Sequence, residues 1–215
     1  MALEGFDTGG GGSEGPWITW SARGAQDGTV PPQSFALRDQ NGRTAFAGFT
    51  ESGVILDIEH MKTGWCYSSG VAGQAPVWKW NPSISQFMEK PGDDYKKGFS
   101  MRCAIGGGQT ATWEDSGAGA WNGFTGLVPA LQQGPQGKLP LVKMTGARVE
   151  KYTRGSTVIP ELQVIQWVDR PDCLKSGAAA GIATDPQPKT EAAAPAAPPP
   201  PPPAAQQPAH SPNEF

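Results

Sequence analysis

Aromatic residues divide this chain more sharply than any other feature of the sequence. All eight tryptophans and all three tyrosines lie between residues 14 and 175, and after Trp167 the only aromatic residue is the terminal Phe215. A segment without large apolar side chains cannot bury enough surface to offset the entropy lost on ordering. The sequence therefore predicts a flexible lead at 1–13, one folded domain at 14–175 and a disordered tail at 176–215.

Composition supports this division. The tail holds 11 of the 22 prolines, including the run from Pro198 to Pro203, and a run of four glycines occupies 9–12. Proline runs favour extended polyproline II structure rather than a packed core. The segment 14–175 carries 16 of the 17 basic and 15 of the 20 acidic residues, so it is nearly neutral. This balance excludes a histone-like basic protein.

The cysteines and the termini indicate a cellular compartment. Cys66, Cys103 and Cys173 are odd in number and form no CxxC motif, so a reducing compartment is the simpler expectation. The N-terminus lacks the basic and apolar regions of a signal peptide. No segment approaches the roughly 20 apolar residues that span a membrane. We therefore expect a soluble intracellular protein that makes no membrane contact.

Residue periodicity predicts a mainly β domain. Alternating and β-branched residues indicate strands or strand-rich segments at 16–24, 33–38, 53–67, 77–81, 97–106, 139–153 and 156–170. Between 115 and 133, apolar residues instead recur at helical spacing: Trp121, Phe124, Val128 and Leu131. Pro129 is expected to kink this helix. Strands, one helix and a final hairpin follow in the order of a five-stranded OB-fold barrel, although other small β folds share that order.

The sequence offers little for catalysis. Its two histidines, His60 and His210, show no metal-binding spacing, and the glycine-rich stretch 106–110 lacks the lysine of a phosphate-binding loop. We therefore expect a non-enzymatic protein without metal or cofactor. The enzymatic alternative would need four carboxylates to converge on Mg²⁺: Asp57, Glu59, Asp93 and Asp94.

Binding has more support, because aromatic and basic residues interleave in two stretches, 78–80 and 95–102, and further cations lie in the final hairpin. Single-stranded nucleic acid binds through such elements: cations follow the phosphates, and rings stack on bases at about 1–3 kcal/mol each. Strand alternation places Trp78 and Trp80 on one face and Lys79 on the other. The predicted nucleic-acid-binding residues are Trp65, Trp78, Lys79, Trp80, Tyr95, Lys96, Lys97, Phe99, Arg102, Lys143, Lys151, Tyr152 and Arg154.

Packing competes with stacking as the role of these rings. Eight tryptophans in one domain must mostly fill a core, and four are assigned to the interior: Trp17, Trp113, Trp121 and Trp167. Four other rings fit stacking and packing equally well: Trp65, Trp78, Trp80 and Phe99. The basic residues of the final hairpin also fit an ordinary solvated surface.

The end of the tail is the most specific feature of the chain. It closes on Pro212, Asn213, Glu214 and Phe215. A ring, a side-chain carboxylate and the α-carboxylate therefore lie together at the end of a long tether. This combination suits a pocket with a hydrophobic slot and a basic rim, as in terminal-carboxylate recognition.

In its overall architecture the chain resembles the single-stranded-DNA-binding proteins of bacteria and phages, with Pro212, Glu214 and Phe215 matching their terminal tip. The resemblance implies an OB-fold core that coats single-stranded DNA during replication or recombination in the cytoplasm of a bacterial host. It also implies a tip that recruits polymerase, primase, helicase or nuclease partners. The single acidic side chain of the tip and the Gly- and Trp-rich core depart from the bacterial pattern and suggest a divergent phage member. No sequence feature identifies an oligomeric state.

The main alternative is a non-enzymatic β-rich virion structural or carbohydrate-binding protein. Surface aromatic residues stack on sugars as readily as on bases, so the rings alone do not separate the two classes. The tail does favour one of them, because a virion component has little need for a tethered terminal phenylalanine.

Overall fold

The computed structural model describes residues 15–71, 74–153 and 155–175, and they form a mainly β domain. Its strands are β1 Trp17–Ser21, β2 Ser34–Asp39, β3 Gly42–Phe46, β4 Val54–Leu56, β5 Lys62–Tyr67, β6 Val77–Trp80, β7 Lys96–Ala104, β8 Thr110–Asp115, β9 Lys138–Tyr152 and β10 Gly155–Asp169. The helices are α1 Ala118–Thr125, α2 Val128–Leu131 and α3 Asp172–Lys175, with a 3₁₀ turn at Ile58–His60. Among these residues no helix has the length and apolarity needed to cross a membrane.

The strands form one sheet in the order β10-β9-β4-β7-β8-β1-β2-β3, and β5 pairs with β7 and with β6. The predicted mainly β class is confirmed. The sheet has ten strands rather than five, however, and it is not closed into a barrel. The segment 53–67 divides into β4 and β5, and β3 is a further strand that residue periodicity did not predict.

The helical segment is shorter than the predicted range and is broken. Asp115 still belongs to β8, and α1 ends at Thr125. Pro129 lies in the first turn of α2, where its missing N–H costs no hydrogen bond. The helix therefore ends at Thr125 and restarts at Val128, and the predicted kink within one continuous helix is wrong.

An aromatic cluster forms the core, and α1 packs against it. Trp113 is fully buried, and its ring centroid lies 5.5 Å from that of Phe35 and 4.9 Å from that of Phe99. Phe124 of α1 lies 4.9 Å from Phe99. A Cβ on Gly123 would lie 2.6 Å from a Pro160 side-chain atom. The glycines that weaken helix propensity thus allow α1 to lie close to β10.

Strand alternation gives the sheet two faces. We call the face that carries Ile18, Met101 and Trp113, all buried in the core, the inner face. The opposite side is the outer face. Because Ile18 points inward, its neighbour Trp17 lies on the outer face and is half-buried, so the prediction of an interior Trp17 is wrong.

The other three tryptophans assigned to the interior behave differently from one another. Trp113 is fully buried, as predicted. Trp121 is partly buried and packs against the core from α1. Trp167 is half-buried, and a Cβ on Gly134 would collide with its ring.

Candidate nucleic-acid interface

Strands β5 and β6 and the first half of β7 form a three-stranded arm beside the core. Glycines and small residues occupy its centre, because Gly64 pairs with both Trp80 and Gly98, and Cys66 pairs with both Trp78 and Lys96. Residues paired across neighbouring strands share a face. Two rows therefore lie side by side on the outer face: Trp80–Gly64–Gly98 and Trp78–Cys66–Lys96.

The two tryptophans of β6 form a stacked pair on this face. Their ring centroids are 4.4 Å apart and their planes differ by 7°, and both side chains are half-buried. A Cβ on Gly98 would lie 2.7 Å from ring atoms of Trp78. Glycine at 98 is thus what allows the Trp78 ring to approach β7 this closely. We call Trp78 and Trp80 the tryptophan platform.

Cations surround the platform. Strands β5, β6 and β7 contain Lys62, Lys79, Lys96, Lys97 and Arg102, and these three strands contain neither aspartate nor glutamate. The strand register puts Lys62, Lys96 and Arg102 on the outer face with the platform, and Lys79 and Lys97 on the inner face. The outer face of the arm therefore combines flat rings with positive charge.

Glu114 of β8 is the acidic residue next to this surface. It pairs with Ser100 across the β7–β8 ladder, which places it on the outer face. Burial raises the pKa of the Glu114 carboxyl above its usual range, and contacts with Ser100 and Trp78 oppose that shift only in part. Glu114, next to the platform, therefore loses its negative charge at a higher pH than an ordinary glutamate does.

On the inner side of the arm the cations are already engaged with rings. Lys97 Nζ lies 5.3 Å from the ring centroid of Phe87 and 5.9 Å from that of Trp65, and Lys79 Nζ lies 5.5 Å from that of Tyr95. Trp65 is only 8 % exposed, and its Nε1 donates to the Met88 carbonyl at 3.0 Å. These cation–π contacts stabilise the arm itself.

The structure separates the predicted site residues into groups. Five lie on the outer face: Trp78, Trp80, Lys96, Arg102 and Lys143, the last placed there because its neighbour Val142 is buried in the core. Four belong to the inner side of the arm: Trp65, Lys79, Tyr95 and Lys97. Lys151 and Tyr152 lie at the end of β9, where the Tyr152 hydroxyl accepts a hydrogen bond from Asn122 Nδ2 at 2.9 Å. Arg154, Pro212, Asn213, Glu214 and Phe215 lie outside the described residues.

Phe99 needs a correction as a stacking residue. Its side chain is fully buried, and its ring packs against those of Trp113 and Phe124 in the core. A base has no access to either face of this ring. Phe99 therefore serves packing, and it does not belong to the candidate interface.

Sequence reasoning missed Lys62 of β5 and three further residues of the outer face. Trp17 pairs with Arg38, and Arg38 pairs with Arg43, so all three share the face that carries the platform. Trp17 and Arg38 were predictable, because each is next to an apolar strand residue, Ile18 or Leu37, and strand neighbours point to opposite faces. Arg43 had no such signal, because β3 was not predicted.

Two of the four carboxylates of the enzymatic alternative, Asp57 and Glu59, form ion pairs with Arg170. Asp57 is 1 % exposed and accepts hydrogen bonds from Arg170 at 2.7 and 2.9 Å, and Glu59 pairs with the same arginine at 2.6 Å. His60 Nδ1 lies 3.0 Å from Asp57. Within the described ranges, no group of three or more metal-ligating side chains converges. This cluster joins the 3₁₀ turn to the end of β10.

Comparisons with protein-family models, curated proteins and solved structures give no match.

Proposed function

We propose that this domain binds single-stranded DNA, without catalysis, on the outer face of the arm. Bases stack on the tryptophan platform, and phosphates follow Lys62 and Lys96. The observation that carries the proposal is the parallel, half-buried tryptophan pair on strands that hold five cations and no carboxylate. Stacking accepts any base, because every base has a π face. The expected behaviour is sequence-tolerant, salt-dependent binding.

The same proposal gives the rest of the chain a role in phage-type replication or recombination. The order of strands, one helical segment and a final hairpin supports an OB-like ancestry for the domain. The terminal residues Pro212, Asn213, Glu214 and Phe215 would then recruit replication or recombination proteins while the domain holds DNA.

A carbohydrate-binding role is the second candidate, and it draws on the same platform. Flat indole pairs also stack on sugar rings, but a neutral glycan gains nothing from Lys62 and Lys96. Salt dependence therefore separates the two candidates, because only binding to a polyanion releases counterions.

The direct test is titration of fluorescein-labelled oligo(dT) followed by fluorescence anisotropy at several salt concentrations. We expect binding that weakens with salt, and the K62A/K96A variant should lower the slope of log K against log[salt] by about 1.4, or about 0.7 for each phosphate contact. Lys90→Ala, in the exposed loop before β7, is the control and should leave the slope unchanged. Absence of oligonucleotide binding at low salt would overturn the proposal, and glycan binding instead would establish the second candidate.

Glu114 gives this binding a pH dependence. Its ionised carboxylate repels phosphate, so affinity should rise as the pH falls through its raised pKa. The nearby charges of Asp115 and Lys62 move the pKa in opposite directions. Glu114→Gln should bind more tightly than the wild type at neutral pH, by about fivefold for an interaction of about 1 kcal/mol, and should respond less to pH. Anisotropy titrations across the acidic range measure both effects, and equal pH profiles for the two proteins would contradict this role.

A further inference from the structure

A second basic and aromatic strip crosses the outer face on the other side of β8. Arg43 pairs with Arg38, Arg38 with Trp17, Trp17 with Thr112, and Thr112 with Arg102. The five residues occupy consecutive strands, β3, β2, β1, β8 and β7, at one level of the sheet. Three guanidinium groups and one half-buried indole therefore line a single row.

The two arginines at the start of this row lie where their positive charges are expected to destabilise the sheet. Arg38 and Arg43 lie directly opposite each other on β2 and β3, an arrangement in which like charges destabilise a sheet. Both are exposed, and within the described residues neither forms an ion pair. The pair therefore presents an unneutralised positive site at the edge of the sheet.

Asp27 is the carboxylate that the loop after β1 brings toward this site. Arg43 and Asp27 line the same surface recess. The Asp27 oxygen Oδ1 is already engaged by Thr29, which donates its hydroxyl at 2.7 Å and its backbone N–H at 3.0 Å. Those two hydrogen bonds are the main reason that the pKa of Asp27 is low, and Arg43 is the smallest contribution. Asp27 thus forms hydrogen bonds within its own loop, and it forms no ion pair with Arg43 among the described residues.

From this row we infer that the nucleic-acid path does not end at the arm but continues over β7, β8, β1 and β2 to Arg38 and Arg43. The inference rests on the proposed function and extends it from a platform to an oblique track across seven strands. Neighbouring strands are about 4.8 Å apart, so the track from β3 to β6 measures about 29 Å. At the roughly 3.4 Å spacing of stacked bases along one DNA strand, this length holds about eight nucleotides.

The composition of the row favours single-stranded nucleic acid as its occupant. Phosphates neutralise the paired arginines, and Trp17 offers a ring to a base between Arg38 and Arg102. Arg102 is held on the outer face by its hydrogen bond to the Cys173 carbonyl at 3.1 Å. This bond uses one of the five N–H donors of the guanidinium group. An acidic peptide would neutralise the arginines but would offer no regular series of planar groups to Trp17 and the platform.

The test is a length series of fluorescein-labelled oligo(dT), from about 3 to about 16 nucleotides, bound to the wild type and to R38A/R43A in the full chain. Wild-type affinity should rise with length up to about eight nucleotides and then level off. The double variant should level off at a shorter length, and its slope of log K against log[salt] should fall by about 1.4. The control K90A/R148A also removes two positive charges, from a loop and from the final hairpin, and should preserve both the length and the slope.

The outcomes separate this inference from the function on which it rests. If the wild type binds oligo(dT) and R38A/R43A retains its length dependence and salt slope, the extended track is wrong while the platform proposal stands. If the wild type binds no oligo(dT) at low salt, both are wrong. A shortened site together with a reduced slope in R38A/R43A, with both unchanged in K90A/R148A, supports the track.

Discussion

Replacing Arg170 with methionine is expected to destabilise the domain by about 3–5 kcal/mol, because the change leaves a buried carboxylate without its main partner. Asp57 is 1 % exposed, and Arg170, at 18 % exposed, donates two hydrogen bonds to it at 2.7 and 2.9 Å. The pair connects the 3₁₀ turn after β4 to the residue that follows β10. Methionine keeps most of the volume of the arginine stem, so the loss reports charge and hydrogen bonding. Urea denaturation measures it.

A surface ion pair provides the matched control. Lys138 and Asp169 are paired at 2.7 Å, but both side chains are well exposed, so Lys138→Met should cost no more than about 1 kcal/mol. The double variant Asp57→Asn with Arg170→Met should recover part of the loss, because the buried charge disappears with its partner. Equal effects of Arg170→Met and Lys138→Met would show that the buried pair has no special role.

The same pair predicts how stability depends on pH. Burial alone would raise the pKa of Asp57, but hydrogen bonds from Arg170 and His60 outweigh it and hold the pKa below its ordinary value of 3.8. A carboxyl with a lowered folded-state pKa contributes stability above its unfolded-state pKa. That contribution is lost as the pH falls below 3.8 and through the lower folded-state value. Unfolding curves between neutral and acidic pH should show this loss in the wild type and a smaller one in Asp57→Asn.

Some elements of the fold were predictable because their sequences carry a periodic signal. The strands of the final hairpin, Lys138–Tyr152 and Gly155–Asp169, alternate over long runs and lie where predicted. β3 carried no such signal, since four of its five residues are exposed, and it exists through its pairing with β2. The interruption between β4 and β5 depends on Asp57 and on an arginine 113 residues away in the chain. No local pattern contains that information.

The alternation of side chains along a strand predicts part of the candidate site. It correctly placed Trp78 and Trp80 on one face, and their rings stack. The same rule, applied to β7, separates Phe99, Met101 and Cys103 from Lys96 and Arg102, because the first three alternate into the core. The prediction of Phe99 as a nucleic-acid-binding residue did not take this alternation into account. The row through Trp17 and Arg43 could not be predicted in the same way, because it depends on the strand order. That order brings β1 beside β8 in a parallel pair, and local sequence does not encode it.

Removing the Trp80 ring of the tryptophan platform is expected to have the largest effect on binding. Trp80→Ala should weaken oligo(dT) binding by about 1–3 kcal/mol, or roughly 5- to 150-fold in Kd, if one base stacks on this ring. Trp80 stacks on Trp78 at 4.4 Å and is half-buried, so part of its ring surface remains accessible to a base. Anisotropy titration at fixed salt measures the change, and Trp80→Phe should retain most of the affinity, because a smaller ring still stacks.

The control for Trp80 is a ring on the other side of the arm. Phe87 is 39 % exposed and contacts Trp65 and Trp121 on the inner side, so Phe87→Ala removes an accessible ring without touching the outer face. It should leave the affinity within about twofold while Trp80→Ala loses at least fivefold. The salt slope should stay unchanged in both variants, because neither removes a cation. Phe87 lies on the inner side of the arm and Trp80 on the outer face. A loss of affinity in Phe87→Ala that matches or exceeds the loss in Trp80→Ala would therefore place bound DNA on the inner side and contradict an outer-face platform.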